Sequence, residues 1–199
     1  MIKLYHATRT RSFRILWLLE ELGIPYQLER VAFQPPKQPF SQPTPYGKVP
    51  AIEDGDLAMC ESGAILEYIL ERYGNGRLAP APGTPERGSF LQWVHFAEAT
   101  ALPPLGDVVR HTVFKPEAER IQSVVDDARG RATRGFEVVD RALEGRDYLL
   151  ASGFSAADVM MGVTLLIARR LKSLDAGFKN LSAYLDRLES RPALAKALA

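Results

Sequence analysis

A single cysteine, Cys60, and three histidines, His6, His95 and His111, are all that this 199-residue chain offers in soft ligands. One thiol cannot build an internal disulfide framework. So few scattered ligands also leave no cysteine-based zinc cluster and no other metal centre to expect. A reducing, cytoplasmic setting fits this cysteine usage. An excess of charge is missing too: 25 basic residues face 24 acidic ones, for a net charge of +1. Bulk attraction to nucleic acid or acidic membranes is thereby excluded, and neither is expected as a partner. No apolar run reaches the roughly 18 residues of a membrane span. Met1-Ile2-Lys3-Leu4 passes into a strand-like run without a charged-then-apolar leader, so the chain is expected to be soluble and unexported. What is present is 46% hydrophobic residues, enough to bury a core in one large or two small domains.

The order of elements narrows this. Ile2-Tyr5 has strand character, Phe13-Leu22 helical spacing ending at Gly23, and Tyr26-Val31 strand character again. Such β-α-β order predicts parallel strands joined by a right-handed crossover. Between Gln34 and Pro45, five prolines (35, 36, 39, 43 and 45) leave little regular structure to expect. Ala51-Glu53 and Leu57-Met59 flank the turn Glu53-Asp54-Gly55-Asp56, and a helix starts near Ser62 with Ile65, Leu66, Ile69, Leu70 and Tyr73 at helical spacing. These elements add up to an α/β domain, a mixed four-stranded sheet with helices, as in thioredoxin.

Residues 1–76 are assigned to that domain and 77–85, with Pro80, Pro82, Gly83 and Pro85, to a linker. Strand signals then vanish, so 86–199 is expected to be an all-α helical bundle. Its first helix runs from Glu86 to about Leu102 and is interrupted by Pro103-Pro104; Glu117–Leu143 is a long amphipathic segment with Gly130 and Gly135 as weak points. Ser155 and Asp158 form a capping-box variant ahead of the apolar helix Val159–Leu171.

Two short pairs point to a ligand. Pro50 has no backbone N–H, and a cis Val49–Pro50 bond would turn the Val49 N–H and C=O toward an extended, peptide-like ligand. Eleven residues later, Glu61 and Ser62 precede a helix. A Ser62 hydroxyl, free N–H groups and the positive helix end would receive a carboxylate, while Glu61 suits an ammonium. Singly, Ser62 could be only a cap and Pro50 only a turn former. Together they describe a receptor for a ligand with an amino-acid head and a peptide body.

Here the chain resembles the glutathione transferase family, whose thioredoxin-like domain carries a V-P and an E-S pair at about this spacing. Ser12 through Tyr26 is similar to the family's first helix and second strand, and Pro45-Tyr46-Gly47-Lys48-Val49-Pro50 to its N-P-x-G-x-V-P run, with Thr44 in place of Asn. In the second half, the Ser155–Asp158 cap and its helix carry the likeness. The resemblance implies glutathione as co-substrate, a homodimer, and glutathione contacts from Val49, Pro50, Glu61, Ser62, Lys48, Lys37 and Gln38.

Glutathione acts as a thiolate, so a donor must face its sulfur. The family's serine-type and cysteine-type branches place the functional residue in the loop between first strand and first helix. That loop here is His6-Ala7-Thr8-Arg9-Thr10-Arg11-Ser12, without cysteine, which argues against a mixed-disulfide mechanism using this loop and favours the serine-type branch. Ser12 is the first choice, Thr10 the second, and Tyr5, where the tyrosine-type branch has its phenol, the third. Ser12 could alternatively be a plain N-cap. Arg9 and Arg11 could add positive potential or be solvated loop charges, and Arg14 is read as structural. Cys60, alone at the end of a short strand, is read as inert, and His95 and His111 as surface or packing residues. Trp93, Phe96, Leu102 and Phe114 are candidates for an electrophile pocket, although helical spacing suits core packing as well.

The reading that follows is a glutathione transferase acting on a small hydrophobic electrophile in detoxification. The alternatives are another glutathione-dependent enzyme (isomerase, dehalogenase, peroxidase or etherase) or a non-catalytic, transferase-shaped interaction protein.

Overall fold

The computed structural model describes residues 1–32 and 47–199. The chain forms two compact units, Met1–Ala81 with Ser190–Ala199, and Pro82–Glu189.

The first unit contains β1 (Ile2–His6), α1 (Ser12–Leu22), β2 (Tyr26–Arg30), β3 (Ala51–Asp54), β4 (Leu57–Cys60) and α2 (Ser62–Tyr73). Its sheet has the order β2-β1-β3-β4. β1 and β2 are parallel, from Ile2 opposite Tyr26 to His6 opposite Arg30, while β3 is antiparallel to both β1 and β4. This is the mixed four-stranded sheet expected from the β-α-β order and the following hairpin. α1 is buried almost all round: Ile15, Leu16, Trp17, Leu18, Leu19 and Leu22 are each at most 4% exposed. It stops where glycine permits a left-handed turn, at Gly23 with φ 62°, and Ile24 N–H closes the end on Leu19 O at 3.1 Å.

α2 is tied to the sheet by a buried carboxylate. Asp54, whose side chain is 6% exposed, accepts from the Tyr68 hydroxyl at 2.7 Å and from the Tyr73 hydroxyl, and Arg72 lies 3.5 Å away. The Tyr73 hydrogen bond holds the Asp54 carboxyl below its usual range, helped by Tyr68 and Arg72 and opposed by burial. A carboxylate with a depressed folded pKa stabilises the fold above its unfolded value of about 3.9 and loses that contribution as pH falls through the folded value. Asp54→Asn is therefore expected to cost about 1–3 kcal/mol at pH 7 and less near pH 3. Urea unfolding at both pH values tests this, and an equal cost at both would refute it.

The second unit is helical: α3 (Pro85–His95), α4 (Leu102–Val109), α5 (Gln122–Ala142), α6 (Ala156–Arg170) and α7 (Lys179–Glu189). Thr84 caps α3, its hydroxyl oxygen accepting from Arg87 N–H at 3.2 Å. The expected interruption at Pro103-Pro104 does not occur. Both prolines lie in the first turn of α4, where a missing N–H costs little, and the stretch before it, Phe96–Ala101, is wound as a π-helix. A second π segment, Arg110–Phe114, follows α4. α5 likewise runs unbroken through Gly130 and Gly135, although it starts later than expected, after a 3-10 turn at Glu117–Glu119. A Cβ at Gly135 would make only an ordinary contact, 4.0 Å from the Ala101 Cα.

α6 begins at the expected cap. Asp158 reaches back to accept from Ser155 N–H at 2.8 Å and from the Ser155 hydroxyl at 3.0 Å. The last helix, α8 (Pro192–Leu198), belongs to the first unit, whereas the sequence reading kept it with the bundle. Charge and apolar burial hold it there. Arg191 meets Glu21 of α1 at 2.6 and 2.8 Å, Lys196 meets Glu20 at 3.1 Å, and Leu194 is 1% exposed.

Candidate functional site

The strand registers bring three segments to one end of the sheet. β3 pairs Ala51 with Tyr5 of β1 on one side and with Cys60 of β4 on the other. Residues just beyond those pairs are Val49-Pro50 before β3, Glu61-Ser62 after β4, and the loop following His6. Tyr5, Ala7, Val49 and Ala51 pack as one apolar cluster beneath them. The Val49–Pro50 peptide is cis, and Val49 lies outside the β1–β3 register.

The loop from β1 to α1 folds around hydroxyl groups. Ser12 is fully buried and its Oγ is enclosed by Ala7 N at 3.1 Å, Thr10 Oγ1 at 2.7 Å, His6 Nδ1 at 2.9 Å and Ala7 O at 3.2 Å. Thr10 is half-buried; its hydroxyl donates to Ala7 O at 2.8 Å and its oxygen lies 3.3 Å from Ser12 N. Ser12 is not the N-cap. That position belongs to Arg11, which makes no side-chain cap, and the Ser12 hydroxyl is turned into the loop. Arg9 has φ 67°, a left-handed conformation that few non-glycine residues adopt. Tyr5, 3% exposed, donates its hydroxyl to Glu53 Oε1 at 2.7 Å. Burial raises the phenol's pKa, and Glu53 adds to the rise while Lys3 opposes it.

At the other segment, Ser62 is in the first turn of α2 and Glu61 is the cap residue, with φ 72° and ψ 110°. Glu61 is exposed and strained, at a cost of about 1–3 kcal/mol that a neighbouring interaction must offset. The Ser62 hydroxyl, 2% exposed, accepts from Arg14 Nη1 at 3.0 Å. Arg14 is itself fully buried, so it links α1 to the start of α2 across 48 positions of sequence. Its structural role was legible in the sequence, but its partner was not.

Other expected contacts distribute as follows. Lys48 is exposed beside Val49, and Lys37 and Gln38 lie outside the described residues. Cys60 is half-buried. In the helical unit, Trp93 and Phe96 meet edge to face at 5.5 Å between ring centroids; Leu102 is half-buried, and Phe114 is 38% exposed at the end of the second π segment. Of these four, Trp93 lines a cleft of about 470 Å³ with Arg141, Ala142, Glu144, Arg146 and Leu149. That lining is mixed apolar and charged. Among the described residues, no group of three His, Cys, Asp or Glu could hold a metal ion, and no helix is long and apolar enough to cross a membrane.

His6 was read in the sequence only as the first residue of the loop. The signal was available: Ile2, Leu4 and His6 alternate onto one face of β1, and all three are at most 4% exposed. Burial lowers the His6 pKa, with the Arg30 charge acting in the same direction and the Ser12 contact opposing it.

A thioredoxin-like sheet domain with a cis-proline edge beside two helix starts, followed by a helical unit, defines a class of protein. Residues 1–71 match the glutathione S-transferase N-terminal domain and residues 102–192 the glutathione S-transferase C-terminal domain. The chain is 31% identical to Glutathione S-transferase 4 of Zea mays, over 92% of this chain and 85% of that one. It belongs to the glutathione S-transferase family. It is also 28% identical to the Disulfide-bond oxidoreductase YfcG of Escherichia coli, over 100% of this chain and 94% of that one. Among solved structures it is similar to the glutathione transferase URE2P6 of Phanerochaete chrysosporium, determined in complex with oxidized glutathione. The TM-score is 0.87 at 26% identity, covering 99% of this chain and 94% of that one.

Proposed function

We propose that this protein binds glutathione at the end of its sheet and conjugates the thiolate to a small hydrophobic electrophile. The observation that carries this is the convergence of Val49-Pro50, Glu61-Ser62 and the hydroxyl-bearing loop at one end of the sheet. In this reading Val49 pairs with the peptide body of glutathione. The start of α2, with Glu61 and Ser62, takes its amino-acid head. Lys48, Lys37 and Gln38 are the proposed contacts of the other carboxylate, and Trp93, Phe96, Leu102 and Phe114 those of the electrophile.

For the sulfur, the three candidate hydroxyls differ in access. Ser12 is 0% exposed and Tyr5 is 3% exposed with its hydroxyl donating to Glu53, whereas Thr10 is half-buried. Thr10 is therefore the proposed donor to the thiolate, and Ser12 supports it from behind. The thiolate forms a bond to the electrophilic carbon, the leaving group departs with the electron pair of its bond, and the original thiol proton goes to solvent. Close placement of the two reactants supplies part of the rate.

Calorimetric titration with glutathione, followed by conjugation assays with an aryl halide, tests the reading. Binding and turnover are expected, and no binding at millimolar glutathione would overturn it. Ser62→Ala should weaken binding about tenfold, as loss of one hydrogen bond in a charged site costs about 1–3 kcal/mol. An unchanged dissociation constant would remove Ser62 from the receptor. The family resemblance implies a homodimer in the cytoplasm, and sedimentation at twice the chain mass tests the dimer.

The likeness to a disulfide-bond oxidoreductase supports a second reading, glutathione-driven disulfide reduction. The loop from His6 to Ser12 has no cysteine, so the thiols in such a reaction would be those of glutathione. Turnover of a model disulfide without turnover of any aryl halide would select it.

A further inference from the structure

Ser12 Oγ has one proton to give and two lone pairs to fill, and four polar atoms surround it. Ala7 N–H can only donate, which fills one lone pair. The remaining directions depend on His6. If Nδ1 is bare, it takes the Ser12 proton, and the Thr10 hydroxyl must then serve either Ser12 Oγ or Ala7 O. Turned to Ser12, it leaves the buried Ala7 carbonyl without either hydroxyl donor. Turned to Ala7 O, it leaves two oxygens 2.7 Å apart with no proton between them. Both arrangements are costly in a buried network.

If Nδ1 carries the hydrogen, every group is satisfied. His6 Nδ1–H donates to Ser12 Oγ across 2.9 Å, Ser12 O–H donates to Thr10 Oγ1 across 2.7 Å, and Thr10 O–H donates to Ala7 O across 2.8 Å. Thr10 Oγ1 then has both lone pairs occupied, by Ser12 O–H and Ser12 N–H. We propose that His6 is a positioning residue for Thr10: by donating from Nδ1 it makes Ser12 a donor, and so leaves the Thr10 proton for an anion outside the loop. The inference rests on the glutathione reading, in which that anion is the thiolate. When Thr10 turns to sulfur, the Ser12 hydroxyl, 3.2 Å from Ala7 O, shares its proton with that carbonyl. Donors aligned in one direction strengthen one another, so the hydroxyl facing the sulfur is a better donor than an isolated threonine. Burial and the Arg30 charge keep the imidazole neutral, which makes its tautomer the deciding variable. No proton is transferred along the chain.

The test is the ring nitrogen-15 spectrum of the three histidines, free and saturated with glutathione, with His6 assigned by its loss in His6→Asn. A hydrogen on Nδ1 and a bare Nε2 are expected in both states. In parallel, ultraviolet titration of bound thiolate should give His6→Asn, which keeps an N–H donor, a thiol pKa close to that of the unaltered protein. His6→Leu should need about tenfold lower proton concentration for the same ionisation. A bare Nδ1 beside a normally depressed thiol pKa overturns the His6 role and leaves the glutathione reading standing; absent glutathione binding overturns both. Should His6→Leu not fold, the nitrogen spectrum of the unaltered protein decides alone.

Discussion

Asp158→Ala is expected to lower the unfolding free energy by about 3–5 kcal/mol, from the cost of leaving several buried donors without their charged acceptor. The carboxylate is fully buried and accepts from four groups: Leu149 N–H at 3.0 Å, Ser155 N–H at 2.8 Å, the Ser155 hydroxyl at 3.0 Å and the Tyr184 hydroxyl at 2.9 Å. Burial pushes its pKa up and the four hydrogen bonds pull it down. Alanine removes the acceptor and leaves Tyr184, itself 0% exposed, and two backbone N–H groups facing a void. The loss spans three segments, because Asp158 ties the turn at Leu149, the start of α6 and α7 together. Thermal unfolding should drop by roughly 6–20 °C at about 2–4 °C per kcal/mol for a chain of this size. Asp158→Asn, which keeps one acceptor oxygen, should lose less. A cost for Asp158→Ala below about 1 kcal/mol in urea unfolding would mean that the freed donors find other partners.

The second large effect concerns turnover. Thr10→Val should lower kcat of the proposed conjugation about a hundredfold, the usual consequence of removing one donor aimed at a developing or bound anion. The pKa of bound glutathione should rise, while the dissociation constant for glutathione stays within a few-fold, because the proposed receptor for its peptide body and head is Val49-Pro50 and Glu61-Ser62, apart from Thr10. Thr10→Ser restores the donor and should recover most of the activity. Ser12→Ala should act more indirectly: it removes the proton that satisfies Thr10 Oγ1 and the acceptor of Ala7 N–H, so stability falls together with activity. Ultraviolet absorbance of the bound thiolate as a function of pH gives the titration. A Thr10→Val protein with an unaltered thiol pKa would transfer the role to another donor, the loop N–H groups being next.

Most of the architecture was legible because it depends on local rules. Gly23 and Gly55 adopt the left-handed φ values that the helix end and hairpin turn require, at 62° and 61°. The spacing from Ser155 to Asp158 marked the start of α6, and the β-α-β order implied the parallel β1–β2 pair. The Val49-Pro50 and Glu61-Ser62 pairs, with the run leading into α1, carried the family. Pro103-Pro104 misled because proline signals a lost N–H but not the winding of the helix before it. A π-helical stretch at Phe96–Ala101 absorbs the defect, and its stability depends on packing within the bundle.

By itself, then, the sequence determined the elements of the sheet unit up to α2, the start of α6, the family and the segments that meet at the proposed site, since periodicity, caps and turn residues act over a few positions. Tertiary structure alone decided which way the decisive side chains turn. Ser12 and Thr10 stand two residues apart and carry the same functional group, yet one is enclosed and the other half-open, because β1 places His6 behind Ser12. Arg14 meets Ser62 across 48 positions, and Arg191 meets Glu21 across 170. Such contacts follow from strand register and helix docking, which sum many weak preferences along the whole chain, and no local spacing encodes them.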